Sequence, residues 1–232
     1  MKFRSWLVVP VLTLMCLPIV CHAQVVISEI MYNPNSNEGW PPDENNPEDK
    51  GKPNAVEWVE IYNTGEEAVD ISGWALADED GQTKTIKDGA VIEPGEAVVI
   101  VPISTTPAGF HAAWGGTFAV YPVAGWGDDG LYNLSNGPSD TNEALRLIDA
   151  DGMTVDEVNY DDEGDWPSDR PDGASIYLPQ DMLDTEKNDQ GINWKLSEKG
   201  TDGAKQNRSA GDFNGVDIGS PGLAPETEAE AE

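Results

Sequence analysis

Hydrophobic and polar positions alternate over short distances along the chain, and clusters of Gly, Pro, Asn and Asp separate the apolar runs. No stretch sustains a helical period, and short runs bounded by turn residues are typical of β strands. Residues 144–160 predict a hairpin around an Asp-Gly turn, whose positive φ suits that pair. Pro107 can open a brief helix within residues 106–114. Further strands are predicted at residues 25–32, 56–63, 69–76, 83–86, 90–92, 97–102, 118–123 and 175–178.

The predicted strand with the sequence VEWVEIYN alternates most clearly. Val59 and Ile61 fall on one face, and Trp58, Glu60 and Tyr62 fall on the other, because side chains alternate across a strand. We interpret the first face as the core and the second as exposed to solvent. The rings of Trp58 and Tyr62 are therefore the candidate ligand-binding residues, and packing of the aromatic rings in the core or under loops is the alternative.

Two long polar segments are predicted to be loops. Residues 33–54 contain five prolines, which a strand interior does not accept. Residues 179–218 are polar and rich in glycine, with Trp194 and Phe213 as aromatic anchors. Loops of this length are often functional or disordered.

The N-terminal segment has the organisation of a secretory signal peptide. Lys2 and Arg4 precede an apolar run, and Ala23 supplies a small residue at the predicted cleavage site. The apolar run is shorter than the roughly 20 residues that a spanning helix needs. A membrane anchor and a chain lipidated at Cys21 are the alternatives. We expect a protein that is secreted, periplasmic or held at the cell surface after residues 1–23 are removed.

One domain is predicted over residues 24–222, followed by a disordered acidic tail at residues 223–232. No linker composition interrupts the series of strands. Both cysteines, Cys16 and Cys21, lie in the predicted signal peptide, so the mature chain has no disulfide. Its stability must then come from the burial of a core.

The chain is strongly acidic, with 43 Asp and Glu against 13 Lys and Arg, and a net charge of −30. Loss of Lys2 and Arg4 with the signal peptide makes the charge of the mature chain −32. Binding to nucleic acid needs clustered cations, and docking to anionic lipid needs the same. Both classes of partner are therefore disfavoured, and the remaining interpretations of the acidity are solubility or affinity for cations.

Several motifs together carry a resemblance to a known family. They are VVISEIMYNP at 25–34, EWVEIYNTGEEAVDISGWALAD at 57–78, IEPGEAVVI at 92–100, LSNG at 134–137, ALRLIDADGMTVDEVNY at 144–160 and GSPG at 219–222. In this order they resemble a lamin-tail domain of the bacterial secreted type. The resemblance implies an immunoglobulin-like β-sandwich, here with long polar loops, and a non-catalytic appendage of extracellular proteins, sometimes beside nucleases. Within the second motif we expect Gly73 to bend the chain so that Trp74 packs on the core.

The residues offer little for catalysis. His111 is the one histidine left after cleavage, whereas zinc hydrolases need clustered ligands. No Gly-x-Ser-x-Gly elbow occurs. With 43 acids in the chain, any choice of a catalytic carboxylate pair would be arbitrary. No catalytic residue is predicted, and we expect that the protein is not an enzyme.

Calcium is the one cofactor that the sequence suggests, because hard oxygen ligands suit Ca²⁺. The DADG run at 149–152 and the DFNG run at 212–215 both depart from known calcium loops. Acidic turns remain as candidate ligands, although solvated turns explain them equally well. The candidate metal ligands are Asp78, Asp80, Asp128, Asp129, Asp161, Asp162 and Asp165.

Three functions are therefore carried forward. The first is a secreted, non-catalytic module that binds an extracellular protein or glycan, or has a structural role at a surface. The second is a calcium-dependent carbohydrate-binding module, in which aromatic rings such as Trp58 and Tyr62 stack on sugars. The third is an accessory to an extracellular nuclease or hydrolase.

Overall fold

The computed structural model describes residues 24–35, 56–78, 81–126, 130–131, 134, 143–168, 172–207 and 217–223. The predicted signal peptide, most of the loop at 33–54, Phe213 and residues 224–232 lie outside this part. The described elements in chain order are β1 (Val25–Met31), β2 (Trp58–Asn63), β3 (Val69–Asp70), β4 (Ala75–Ala77), β5 (Val91–Ile92), β6 (Ala97–Pro102), α1 (Pro107–Trp114), β7 (Ala119–Val123), β8 (Glu143–Ile148), β9 (Thr154–Tyr160), β10 (Ile176–Tyr177), β11 (Lys195–Leu196), β12 (Lys205–Gln206) and β13 (Ile218–Gly219). Two 3₁₀ helices, Gln180–Met182 and Gly191–Asn193, lie between β10 and β11.

The strands form an all-β, immunoglobulin-like sandwich. One layer is a six-stranded sheet in the order β11-β10-β1-β2-β6-β7, and the facing layer is the three-stranded sheet β4-β8-β9. Two small ribbons, β3-β5 and β12-β13, complete the described strands. All pairs in the large sheet are antiparallel except β6 with β7, which are parallel.

The main core lies between the two layers. Ile27, Val59 and Ile61 from the large sheet are fully buried with Leu147 and Val158 from the small one. Burial of each such side chain stabilises the fold by about 1.5–3 kcal/mol. The inward face of β2 is the one that the alternating pattern predicts.

A second apolar cluster covers the opposite face of the large sheet. A parallel pair needs a crossover connection, and here α1 makes it by lying across that face between β6 and β7. The ring of Trp58 meets Phe110 and Trp114 of the helix edge-to-face, with centroids 6.1 and 5.8 Å away. The six-stranded sheet is therefore buried on both faces at this point.

Most predicted elements are present, including the helix and the hairpin of β8 and β9, whose turn has Gly152 at φ 80°. Two strand predictions are wrong. Residues 83–86 form no strand, since this part of the chain has an isolated bridge from Gln82 to Ala77. Residues 69–76 divide at Gly73, where φ is 81°, and β3 and β4 join different sheets. Among the described residues, no helix is long and apolar enough to cross a membrane.

Candidate functional site

The face of β2 predicted to be exposed is buried. Trp58 is 0% exposed and Tyr62 is 9% exposed, so neither ring has a face available for stacking on a sugar. The prediction failed because α1 covers Trp58, and a strand buried on both faces has no solvent side. Trp74, which was expected to be a core residue, is only half-buried against the main core.

The described calcium candidates hold turns together. The Asp78 carboxylate is buried and accepts the Gly81 N–H at 2.9 Å. The Asp161 carboxylate accepts the N–H groups of Asp162 and Glu163. Within the described ranges, no group of three His, Cys, Asp or Glu side chains could hold a metal ion. Asp80, Asp128 and Asp129 lie outside those ranges, and Asp165 belongs to the cleft described next.

A cleft of about 400 Å³ opens beside the edge strand β11. This volume falls in the range of about 300–1,000 Å³ that is usual for small-molecule sites. The turn after β9, the strand β10 and the segment from β11 to β12 supply its walls. The lining residues are Asp165, Trp166, Pro167, Tyr177, Trp194, Lys195, Leu196, Glu198 and Thr201.

Two tryptophans form the apolar part of the cleft. Trp194 is 4% exposed, and its Nε1–H donates to the Asn188 carbonyl oxygen at 2.8 Å. Its ring lies 5.9 Å from that of Trp166, with an angle of 35° between the planes. Gly191 lets Trp166 approach, because a Cβ there would lie 2.6 Å from the indole ring. The half-buried Trp166 is thus fixed against a rigid neighbour with part of its ring open to the cleft.

The polar part of the cleft is mainly acidic. The Tyr177 hydroxyl donates to Asp202, whose carboxylate also lies 3.6 Å from the Lys195 ammonium group. Burial, followed by this hydrogen bond and the charge of Asp202, raises the pKa of Tyr177, so its phenol stays protonated. The exposed carboxylates of Asp165 and Glu198 add acceptors. Such a surface favours neutral or cationic groups over anions.

Sequence reasoning missed two buried carboxylates on the same face of the sheet as Trp58. Glu29 and Glu60 are paired across β1 and β2 and are 1% and 2% exposed. Glu29 accepts from the Ser175 and Ser220 hydroxyls and the Ser220 N–H, and Glu60 accepts from the Ser28 hydroxyl and the Gly222 N–H. Burial raises the pKa of both groups, and the charge of Glu29 raises that of Glu60 further.

His111 has a structural contact. Its Nε2 lies 2.9 Å from the Phe118 carbonyl oxygen, and its ring meets the Phe118 ring edge-to-face at 5.0 Å. This ties the last turn of α1 to the chain that enters β7. The lining of the cleft contains no His, Ser or Cys side chain.

Comparison with known proteins gives a family and a distant structural likeness. The family described as Lamin Tail Domain matches residues 22–162, which is more than half of the chain. A solved structure of a DUF4876 family protein from Bacteroides thetaiotaomicron is similar with a TM-score of 0.39 and 12% sequence identity, covering 90% of this chain and 73% of that one. No curated protein matches the chain.

Proposed function

The chain belongs to the lamin tail domain family, and on that premise we propose that it is a secreted, non-catalytic module that binds a neutral extracellular saccharide in the cleft beside β11. The observation that carries the proposal is the half-buried ring of Trp166, held against the rigid Trp194 at the floor of a cleft with polar walls.

The chemistry of the cleft supports a saccharide. An aromatic ring offers a flat apolar surface to the C–H face of a sugar, and carboxylate and hydroxyl groups around it bind the sugar hydroxyls. Asp165, Glu198 and Thr201 supply such groups here. The net charge of −30 disfavours an anionic ligand.

The exposure of the acidic groups supports binding without catalysis. A glycosidase needs one carboxyl group that burial keeps protonated beside the scissile bond. Asp165 and Glu198 are both exposed to water. The buried carboxylates Glu29 and Glu60 do not line the cleft.

The apolar segment within residues 1–23 supports secretion. Expression in a bacterial host with an export pathway should yield a mature protein that begins at Gln24. The intact mass of protein from the culture medium or periplasm checks the cleavage site. A product that keeps residues 1–23 would contradict secretion without touching the proposal for the cleft.

The binding proposal is tested on a glycan array and then by calorimetric titration with the best oligosaccharide. Trp166→Ala should weaken binding at least about tenfold, since burial of a large apolar side chain is worth about 1.5–3 kcal/mol and about 1.4 kcal/mol is tenfold in affinity. Trp74→Ala is the matched control, because Trp74 is also a half-buried tryptophan but does not line the cleft. Circular dichroism verifies that both variants fold. The proposal fails if no glycan binds, or if the two variants bind equally well.

Calcium dependence is the second candidate, because the sequence offers acidic residues such as Asp80, Asp128 and Asp129 as hard oxygen ligands. The same array is run in millimolar Ca²⁺ and in chelator. Binding that requires Ca²⁺ would favour the calcium-dependent module, whereas equal binding in both buffers would favour direct recognition by the cleft.

A further inference from the structure

A buried acid and a buried amide meet in the interior of the sandwich. Asp156 on β9 is 4% exposed, and Asn188, in the turn before the second 3₁₀ helix, is 0% exposed. The Asn188 Nδ2–H donates to Asp156 Oδ2 at 2.7 Å. The Ile27 N–H of β1 donates to the same oxygen, also at 2.7 Å. The carboxyl group of Asp156 therefore joins both sheets to the turn.

The two remaining side-chain oxygens, Asp156 Oδ1 and Asn188 Oδ1, are buried and have no hydrogen-bond partner. Both are acceptors when the carboxyl group is ionised, so neither can satisfy the other. A proton on Asp156 Oδ1 turns that oxygen into a donor. A carboxylic acid and a primary amide are then complementary, with one N–H···O and one O–H···O bond closing a ring.

The charge nearest to Asp156 disfavours its ionised form. Asp189 follows Asn188 in the turn, and its negative charge raises the pKa of Asp156. The exposed side chain of Glu157 lies on the opposite face of β9, and the backbone N–H of that residue lowers the pKa of Asp156. The small sheet presents Leu147 opposite Asp156, and β1 presents the Ile27 N–H. In the turn, the Lys187 ammonium group donates to the Asp181 carbonyl oxygen, and the described residues place no cation against Asp156.

We propose that Asp156 is a neutral carboxylic acid whose Oδ1–H donates to Asn188 Oδ1, and that this acid–amide pair positions Trp194 in the cleft. The connection runs through Asn188, because the backbone carbonyl oxygen of that residue accepts the Trp194 Nε1–H. Asp156 and Asn188 are thus positioning residues. Only the effect on ligand binding rests on the proposed function of the cleft.

The pair makes the cleft sensitive to pH in a defined direction. Burial, with a smaller contribution from Asp189, raises the pKa of Asp156 from 3.8 to about 7, against the N–H groups of Ile27 and Glu157 and the Asn188 amide. When folding raises the pKa of a group, the group makes its full contribution to stability at pH values below its pKa in the unfolded chain. That contribution is lost as the pH rises from 3.8 through about 7. When Asp156 loses the proton, its Oδ1 and Asn188 Oδ1 are two buried acceptors that repel each other. This repulsion weakens the hydrogen bond from the Trp194 Nε1–H to the Asn188 carbonyl oxygen.

Asp156→Asn is the decisive variant, because its amide can form the same two bonds with Asn188 at every pH. We expect the unfolding equilibrium of this variant to lose one proton of pH dependence, about a tenfold change per pH unit in the middle of this window. We also expect the Trp194 indole N–H to keep the same high protection factor at every pH, once its exchange rate is corrected for intrinsic base catalysis. In the wild type this protection factor should fall above about pH 7. Asn188→Ala, which removes the partner, should give fast exchange at pH 5 as well.

The background titration of the buried Glu29 and Glu60 pair is reduced by making the same comparison in Glu60→Gln, which removes one of the two carboxyl groups. If Asp156→Asn destabilises the protein equally at pH 5 and pH 8, Asp156 is an ionised acceptor and the inference is overturned. Unchanged Trp194 exchange in Asn188→Ala would overturn the positioning role. If these readouts hold but no saccharide binds at any pH, the proposed function fails and the acid–amide pair stands.

Discussion

The ring of Trp58 is enclosed by Phe110 and Trp114 on one side and by the C-terminal segment on the other. Gly219 lies so close that a Cβ there would be 3.1 Å from the Trp58 ring. Trp74 is only half-buried, so its truncation to Ala removes less buried apolar surface than truncation of Trp58. Trp58→Ala should therefore lower the free energy of unfolding by about 3–5 kcal/mol, and Trp74→Ala should lower it by about 2 kcal/mol or less. Urea unfolding of both variants measures this, and equal losses would show that α1 does not seal the outer face of the sheet.

Glu60 is a buried carboxyl group whose protonation affects the stability of the fold. Its pKa is well above the usual 4.5, chiefly from burial and then from the charge of Glu29. Its contribution to stability is therefore complete below pH 4.5 and declines as the pH rises through its higher folded pKa. Glu60→Gln keeps an acceptor for the Gly222 N–H, and its amide N–H can donate to the Ser28 hydroxyl, which reverses the bond that Ser28 donates to Glu60. We expect this variant to have a shallower decline in melting temperature above pH 4.5 than the wild type. A parallel decline in both proteins would place the titration elsewhere.

At the scale of the elements, residues 217–223 close the outer face of the large sheet beside α1. Ser220 and Gly222 donate three hydrogen bonds to Glu29 and Glu60, and Asp217 accepts the Asn35 N–H. The segment therefore covers both carboxylates.

Removal of this segment should destabilise the domain. A chain that ends at residue 216 should lose about 2 kcal/mol or more at pH 5, because it lacks three hydrogen bonds to buried carboxyl groups, each worth roughly 0.5–1.5 kcal/mol. The loss should be smaller at pH 8. At that pH the truncation exposes Glu29 and Glu60 to water, which stabilises their ionised forms and offsets part of the cost. A chain that ends at Leu223 is the matched control and should melt like the full-length protein. Calorimetry at both pH values distinguishes these outcomes.

The sequence predicted the strands that have clear apolar alternation or turn residues, because those signals are local. The strands β1, β6, β8 and β9 and the helix α1 are examples. The prediction for the outer face of β2 failed, because the sequence of β2 contains no sign of what packs on it. Trp58 and Glu60 look like a polar face, and only the crossover through α1 and the return of residues 217–223 bury them.

The cleft was beyond sequence reasoning for a similar reason. Trp166 and Trp194 are 28 positions apart in segments without periodicity, and their contact depends on the close approach that Gly191 allows. Trp194 was recognised as an anchor of its loop, but nothing in the sequence joined it to Trp166. The same holds for Asp156 and Asn188, which only the packing of the two sheets brings together.

For the molecule as a whole, the acidity predicts a response to cations. Like charges on turns repel one another, and monovalent salt relieves part of this repulsion, since the Debye length is about 10 Å at 0.1 M. A specific calcium site would add about 2.7 kcal/mol at a hundredfold excess over Kd. At constant ionic strength, millimolar Ca²⁺ should then raise the melting temperature more than equal Mg²⁺. Equal shifts would mean that the acidic residues form only a solvated surface.

The place of β1 in the sheet has a consequence for how the protein is made. This strand leaves the ribosome before the other described strands, yet it lies between β2 and β10. Glu29 is 146 positions from the Ser175 hydroxyl that it binds. Until β10 and β11 emerge, one edge of β1 has no partner, and open edges recruit other chains. Contacts so distant in sequence also form slowly. A nascent chain that stalls near Asp162 would therefore expose an unpaired edge of β1 to pairing with other chains.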